Sequence, residues 1–543
     1  TYFRVRGNLQ YQMSKSEAER FRSPNETFFA KTDADKKGTY TKNSSSNNSI
    51  TGRLNLTFGR SFGDHTVNGV AGMQFSDKNQ ESYGFGAQGY TTDQFSSPNF
   101  SSSYVTGKPS ASDSKSRSVS YYFNANYAYN MRYLIDFNLT TNGASQFGIN
   151  DPFATTWAVG VGWNVHNEHF LADSKVINYL KLRYSLGNPG NQNYDAKLSS
   201  SIYMYNTAHS NPFGLAAWGE TWGNNNLKWQ RTVTHNFGLD VQFFASRLNL
   251  NVDYQMRDTD PLLVRIDMPT STGAATAPMN VGATDNRSIS VSMTYYLIKQ
   301  REFNWYISGN LNHNTTKYKK IGNLLQEYNE RGQASASLLR YYDNASTTGV
   351  YAVRSAGIDP ATGNEIFIKK DGSYTYEWKQ EDEVLIGDSN PKVQGSFQTS
   401  LVYKGFTFGA SFSYRVGGLT QLSTLFNKVE NISSSQLKYN QDKRALYDRW
   451  QKPGDIARFK RIDDTNSTKM SSRFIEKENT FSCNSINIGY RTTNADWLKY
   501  IGASAINFTA YMNDIFRISS IKEERGTSYP FERSVSFSIG LNF

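Results

Sequence analysis

The chain has one cysteine, Cys483, in 543 residues, so it holds no internal disulfide framework and no multi-cysteine metal cluster. No run of about 18 apolar residues occurs, which excludes a transmembrane helix. Helix formers are comparatively scarce, and no proline-rich linker or shift of composition divides the length into soluble domains. The six histidines, His65, His166, His169, His209, His235 and His313, are scattered. Only His166 and His169, in H-N-E-H, have metal-compatible spacing, and a short turn after Trp163 accounts for them without a metal. Gly59-Arg60-Ser61-Phe62-Gly63 spells G-x-S-x-G, but it falls at a short turn between two strand patterns and not at a strand-to-helix elbow, and there is no P-loop or H-E-x-x-H. Gly187-Asn188-Pro189-Gly190-Asn191 is glycine-rich, but its proline and missing lysine read as a turn. Glu381-Asp382-Glu383 and Asp463-Asp464 read as solvated loop carboxylates. Neither enzymatic chemistry, nor a cofactor, nor a bound metal is expected.

Lys and Arg exceed Asp and Glu to give a net charge of +11, yet they are spread along the chain, unlike the concentrated patch of a nucleic-acid groove. What is plentiful is aromatic: 35 Tyr, 34 Phe and 9 Trp, beside abundant Asn, Ser, Thr and Gly. A chain polar on average yet heavily aromatic suits a barrel with a wet lumen and a lipid-facing exterior. The last ten residues show the pattern. Val535, Phe537, Ile539, Leu541 and Phe543 fall on one face; Ser534, Ser536, Ser538, Gly540 and Asn542 fall on the other. No charge or proline guards that apolar face, as an exposed edge in a soluble protein would need.

The alternation recurs. Leu54, Leu56 and Phe58 oppose Arg53, Asn55 and Thr57; Tyr121, Phe123 and Tyr127 oppose Ser120, Asn124 and Asn126; Leu250, Val252 and Tyr254 oppose Asn251, Asp253 and Gln255. About sixteen such strands of roughly 10–13 residues are expected, each long enough to cross a bilayer when tilted. Short turns near 61–64, 130–132, 244–246, 298–302 and 404–405 alternate with long excursions near 14–47, 77–114, 189–230, 259–286, 315–392 and 416–474. That rhythm matches periplasmic turns against extracellular loops. The fold class is therefore all-β, a transmembrane antiparallel barrel, with residues 1–543 forming one barrel segment in a Gram-negative outer membrane. The chain opens inside a strand pattern, Thr1-Tyr2-Phe3-Arg4-Val5-Arg6, so an upstream portion is expected before it or on another chain.

Several blocks resemble SusC-like TonB-dependent transporters. Val176 to Gln192 reads VINYLKLRYSLGNPGNQ, like the family's LKLR-S-G-GNQ strand and loop. Asn142 to Gly148 resembles its DGSSRFG loop, Asn226-Leu227-Lys228-Trp229-Gln230 its NPxLKWE, Ala356 to Gly363 its AGIDPxTG, and Arg449 to Asp455 its RWTKPGD. Ser485 to Tyr490, Asn513 to Phe516 and Tyr529-Pro530 follow in family order. Asn142, Ala144 and Gln230 depart from the family's Asp, Ser and Glu. The resemblance implies a C-terminal portion of a barrel of about 22 strands whose plug and Ton box lie outside this chain. It implies active import of oligosaccharides or peptides with a SusD-like surface lipoprotein, driven by TonB–ExbB–ExbD through the plug. A scaffold role in an outer-membrane complex stays open as the alternative, with a siderophore receptor or a passive porin behind it. Sugars are held by aromatic faces and planar polar groups. The candidate contacts on long loops are Trp218, Trp222, Tyr203, Tyr205, Tyr341, Tyr342, Tyr374 and Trp378, each of which could instead pack the loops or face the lid.

Overall fold

A computed structural model of the chain describes residues 2–106, 108–145, 150, 152–190, 201–211, 214–228, 230–268, 270–272, 276–323, 325–326, 328–330, 337–493, 496–522, 524–525 and 531–543. Among these, the main sheet has seventeen antiparallel strands, one of them the two-residue Ser103–Tyr104. The others are β1 (Phe3–Arg22), β2 (Thr39–Phe62), β3 (His65–Gln88), β4 (Ser110–Tyr129), β5 (Tyr133–Ala144), β6 (Phe153–Asn164), β7 (Ile177–Asn188) and β8 (Thr232–Phe243). Then come β9 (Leu248–Thr259), β10 (Ala283–Lys299), β11 (Phe303–Lys319), β12 (Val393–Tyr403), β13 (Phe406–Gln421), β14 (Ile475–Thr492), β15 (Ala505–Ser519) and β16 (Val535–Asn542). Tight turns fall where the sequence predicts them, at Gly63-Asp64, 130–132, 244–247, 300–302 and Lys404-Gly405, but the alternation of short and long breaks around β6, where 165–176 is longer than 145–152. Positive φ at Asn130, Met131, Lys404 and Gly405 gives these hairpins the twist that suits their strands.

The strands are longer than the alternation suggests. β2 and β3 each run 24 residues, so strand occupies much of 14–47 and 77–114. The extra length reads Thr-Lys-Asn-Ser-Ser-Ser-Asn-Asn in β2, polar on both faces. A pattern search for one apolar face stops at Ile50, whereas the backbone ladder continues to Thr39.

The chain divides into two compact units. The first comprises 1–160, 187–231 and 263–280. In it β1 to β5 pair in sequence order, so that Val5, Leu56, Ala71, Phe123 and Leu139 form one apolar row across five strands. Leu56 and Phe123 in this row stay exposed on the sheet surface, as lipid-facing side chains must. At the far ends of the strands, Tyr40, Ala87 and Tyr90 form a small core with Phe21 and Phe85.

The second unit comprises 161–186, 232–262 and 281–543. Its apolar row runs Val241, Leu250, Met293, Gly309, Phe397 and Phe412; the neighbouring polar row is Asp240, Asn251, Ser292, Asn310, Ser396 and Ser413. Its main core lies in a long connection: Leu425, Phe426, Val429, Ile432, Ala445, Phe459, Met470 and Phe474 pack together. A four-stranded sheet lies within the second half of 320–392, in the order Tyr374–Thr375, Glu365–Ile368, Gly349–Ile358, Glu383–Asp388.

Candidate ligand-contact site

The two longest connections are welded to one another by buried charge. Arg473 donates to Glu365 at 2.8 Å and to Glu430 at 2.5 Å, with all three side chains nearly sealed from solvent. Ser471 Oγ also donates to Glu365, and the Ser355 N–H donates to Ser472 Oγ at 3.0 Å. Desolvation alone would drive the Arg473 guanidinium toward neutrality, but Glu365 and Glu430 outweigh it and raise its pKa. Arg449 beside them is buried and donates to the carbonyls of Ala445, Lys460, Val429 and Glu430. A buried cation held by carbonyl oxygens is a structural bolt, since leaving those groups unmatched costs several kcal/mol.

On this base sits an aromatic patch. Tyr341 packs on Tyr318 and Tyr328, and its backbone is clasped by Asn329, which accepts from its N–H at 2.7 Å and donates to its carbonyl at 3.0 Å. Tyr342 packs edge-on against Tyr351, centroids 5.7 Å apart, and the pair lines a cavity of about 470 Å³ with Lys370, Gln380, Glu381 and Glu383. Arg340, 1 % exposed, supports the floor through a two-pronged bond to Glu383 at 2.7 and 3.0 Å. Burial pushes the Tyr351 phenol above its usual range.

The predicted contact residues separate into two groups. Tyr203, Tyr342 and Tyr374 present open rings, Tyr374 70 % exposed. Trp222, Tyr341 and Trp378 are partly buried and hydrogen-bonded into loop structure. Trp222 Nε1 donates to Thr272 O at 2.9 Å, and Trp378 Nε1 donates to Met470 O at 3.1 Å. Tyr203 meets Trp222 edge-on at 6.0 Å, next to Asn224, which donates to Pro278 O. The side chains of Tyr205 and Trp218 lie outside the described residues, as do Gln146 to Gly148, Asn191-Gln192, Trp229 and Tyr529-Pro530 of the quoted motifs. His166 sits in a turn, its ring 4.4 Å from Tyr179 and its Nδ1 3.1 Å from Leu180 O.

A larger cavity contains none of the aromatic candidates, and of the quoted blocks only Asn513 to Phe516 reaches it, through Asp514 and Phe516. About 800 Å³ in volume, it opens on the polar face of β11 to β15 and is capped by residues after β15. Its wall carries Arg415, Arg517, Lys522, Arg525 and Arg533 against Glu478 and Asp514. No motif marks its cations, which come from β13, from β15 and from the connection that follows β15. Elsewhere in the same unit, Arg183 donates to Asp240 at 2.7 and 2.8 Å and to Asp253 at 3.2 Å. Gly238 makes this possible: a Cβ there would stand 2.6 Å from the guanidinium carbon.

No family profile matches the chain. It is 29 % identical over 388 residues, 67 % of its length, to TonB-dependent receptor P3 of Formosa agariphila, and covers 38 % of that protein. It is 27 % identical over 447 residues, 78 % of its length, to TonB-dependent receptor SusC of Bacteroides thetaiotaomicron, covering 43 %. The chain thus spans less than half the length of the curated relatives it matches. Among solved structures, the RagAB peptide transporter superposes on the whole chain with a TM-score of 0.84 at 18 % identity, over 60 % of its own length. The fold is that of an outer-membrane β-barrel of the TonB-dependent receptor class. In sequence the chain is similar to SusC, one receptor of that class.

Proposed function

We propose that the chain forms the barrel wall and loop lobes of an outer-membrane importer for oligosaccharides or peptides. The observation that carries this is the superposition of the chain on a peptide transporter with a TM-score of 0.84. The sixteen long strands would be the C-terminal part of the wall, the tight turns would face the periplasm, and the long connections would be extracellular. The partners are a SusD-like surface lipoprotein above the loops and TonB–ExbB–ExbD, acting through a plug carried by the same transporter. Tyr342, Tyr374 and Tyr203 would meet cargo, because their rings are open and their backbones are held. Trp222, Tyr341 and Trp378 would hold loops in place. Binding energy would come from aromatic faces and from hydroxyl and amide groups in the loop cavities; the chain would position and release cargo without bond chemistry.

Affinity capture of the tagged transporter from native outer membranes tests this reading. One co-purifying lid lipoprotein is expected. A set of assembly factors without such a lipoprotein would point to a scaffold instead.

A further inference from the structure

The cavity on β11 to β15 carries more charge than a conduit for neutral nutrients needs. Of its two carboxylates, Glu478 is 7 % exposed and already engaged: Arg517 donates to it at 3.0 Å, Thr420 at 3.0 Å, and Arg415 lies 3.5 Å away. Asp514 lies 3.5 Å from Arg525, whose guanidinium also covers the Phe531 ring at 4.7 Å. Lys522 and Arg533 complete the rim, both exposed, and the five cations on the wall outweigh its two carboxylates. The rest of the lining is chiefly hydroxyl and amide, from Ser413, Thr480, Ser482, Asn312, Gln394 and Asn484. Like charges gathered in one concavity repel one another, an arrangement that an incoming anion relieves.

We propose that this cavity binds an acidic oligosaccharide, its carboxylates or sulfates paired with Lys522, Arg525 and Arg533 and its hydroxyls with the serine, threonine and amide wall. The volume falls within the range of about 300–1,000 Å³ usual for small-ligand sites. Guanidinium groups match the planar carboxylate fork, and a ring such as Phe531 stacks on a sugar's C–H face. Hydroxyl and amide side chains outnumber the apolar ones on the wall, Tyr414, Phe516, Ile521 and Phe531, which favours a hydroxyl-rich ligand over an apolar one. The cavity lies where the strands meet the long connections 320–392 and 422–474, so cargo leaving those loops would reach it next. This assignment rests on the importer reading and names its cargo class.

Calorimetry on the complete transporter, purified from outer membrane, tests it with tetragalacturonate, a neutral galactose tetramer and an aspartate tetrapeptide. Tetragalacturonate is expected to bind at least about tenfold tighter than the other two, and to weaken as salt rises. The double variant Lys522→Glu/Arg533→Glu should lose that preference at least tenfold, while Lys522→Arg/Arg533→Lys keeps it. Arg533→Glu alone, at an exposed position, should lose part of it, and heat-modifiable gel migration shows that each variant has folded. No binding of the acidic sugar, equal binding of the neutral one, tighter binding of the peptide, or indifference to charge reversal would each overturn the assignment. Failure of the importer reading would look different: the wild type would show no energised uptake of any nutrient. Failure of this site alone would leave energised uptake of another nutrient intact in the charge-reversed variant.

Discussion

Trp450 Nε1 donates a hydrogen bond to Pro360 O at 2.9 Å, joining two segments ninety residues apart. The Gly454 N–H donates to the same carbonyl at 2.8 Å, and the Arg461 N–H to Gly363 O at 3.2 Å. The segments are Ala356 to Gly363 and Arg449 to Asp455, two of the blocks that carried the family resemblance. Their residues are explained by each other. Asp359 accepts from the Ala361 N–H, Thr362 Oγ1 and Tyr376 OH, bonds that hold its carboxyl below the usual range and shape the turn that offers Pro360 O. Gly363, at φ +73°, lies so close that a Cβ would stand 2.5 Å from the indole ring.

Gly363→Ala is therefore expected to loosen this junction by about 1–3 kcal/mol, through backbone strain and the clash with Trp450. Trp450→Phe should cost about 1 kcal/mol, the net worth of one hydrogen bond. Limited proteolysis of the 320–392 and 422–474 connections, with barrel folding read separately by gel migration, checks both. Unchanged cleavage in Gly363→Ala would show that the junction does not hold the lobe.

Arg473→Met leaves Glu365 and Glu430 buried without their shared cation, and is expected to cost about 3–5 kcal/mol of lobe stability. Arg473→Met with Glu365→Gln and Glu430→Gln should recover part of that loss, because the uncompensated charge is gone. Thermal melts monitored by tryptophan fluorescence distinguish the two.

Asp442 gives the lobe an acid limit. Hydrogen bonds from the Arg444 side chain hold its carboxyl down to about 2, against an ordinary 3.8, while Arg444 also bridges to Glu524 at 2.6 Å. A depressed folded-state pKa stabilises above the unfolded value, so the contribution is complete above about pH 4 and fades as pH falls toward 2. It is worth at most about 2 kcal/mol. Proteolytic protection of 422–474 between pH 5 and 2 should fall more steeply in wild type than in Arg444→Met, which lacks the link throughout.

Arg183→Met should impair barrel assembly, since Asp240 and Asp253 would face one another without their shared cation; Gly238→Ala should do so by displacing the guanidinium. Yield of heat-modifiable barrel in the outer membrane is the readout. Full yield in Arg183→Met would remove this network from the account.

Tyr342→Ala should raise the KM for uptake about tenfold, the loss of about 1.4 kcal/mol of ring contact, and leave the barrel folded. Tyr341→Ala should instead disturb the loop itself, because Tyr341 packs on Tyr318 and Tyr328.

The barrel strands were legible because period-two alternation survives wherever one face meets lipid, as in Leu54-Asn55-Leu56 or Tyr121 to Tyr127. The polar extensions of β2 and β3 were not, since Ser44-Ser45-Ser46-Asn47 carries no contrast between faces. The aromatic candidates could be named from composition, but which rings are open and which are locked depends on carbonyls such as Thr272 O and Met470 O from distant segments. The cations of the larger cavity carried no motif, because Arg415, Arg517 and Arg533 come from separate strands and the closing connection, more than a hundred residues apart at the extremes; only Asp514 and Phe516 of its lining fall in a quoted block.

The most direct test of the importer reading is depletion of a defined mixture of oligosaccharides and oligopeptides from the medium. It compares cells with and without the transporter, each with and without a protonophore. The account predicts at least one component removed only when the transporter is present and the membrane energised. Equal depletion in cells lacking it, or depletion that persists with the protonophore, would contradict active import through this barrel.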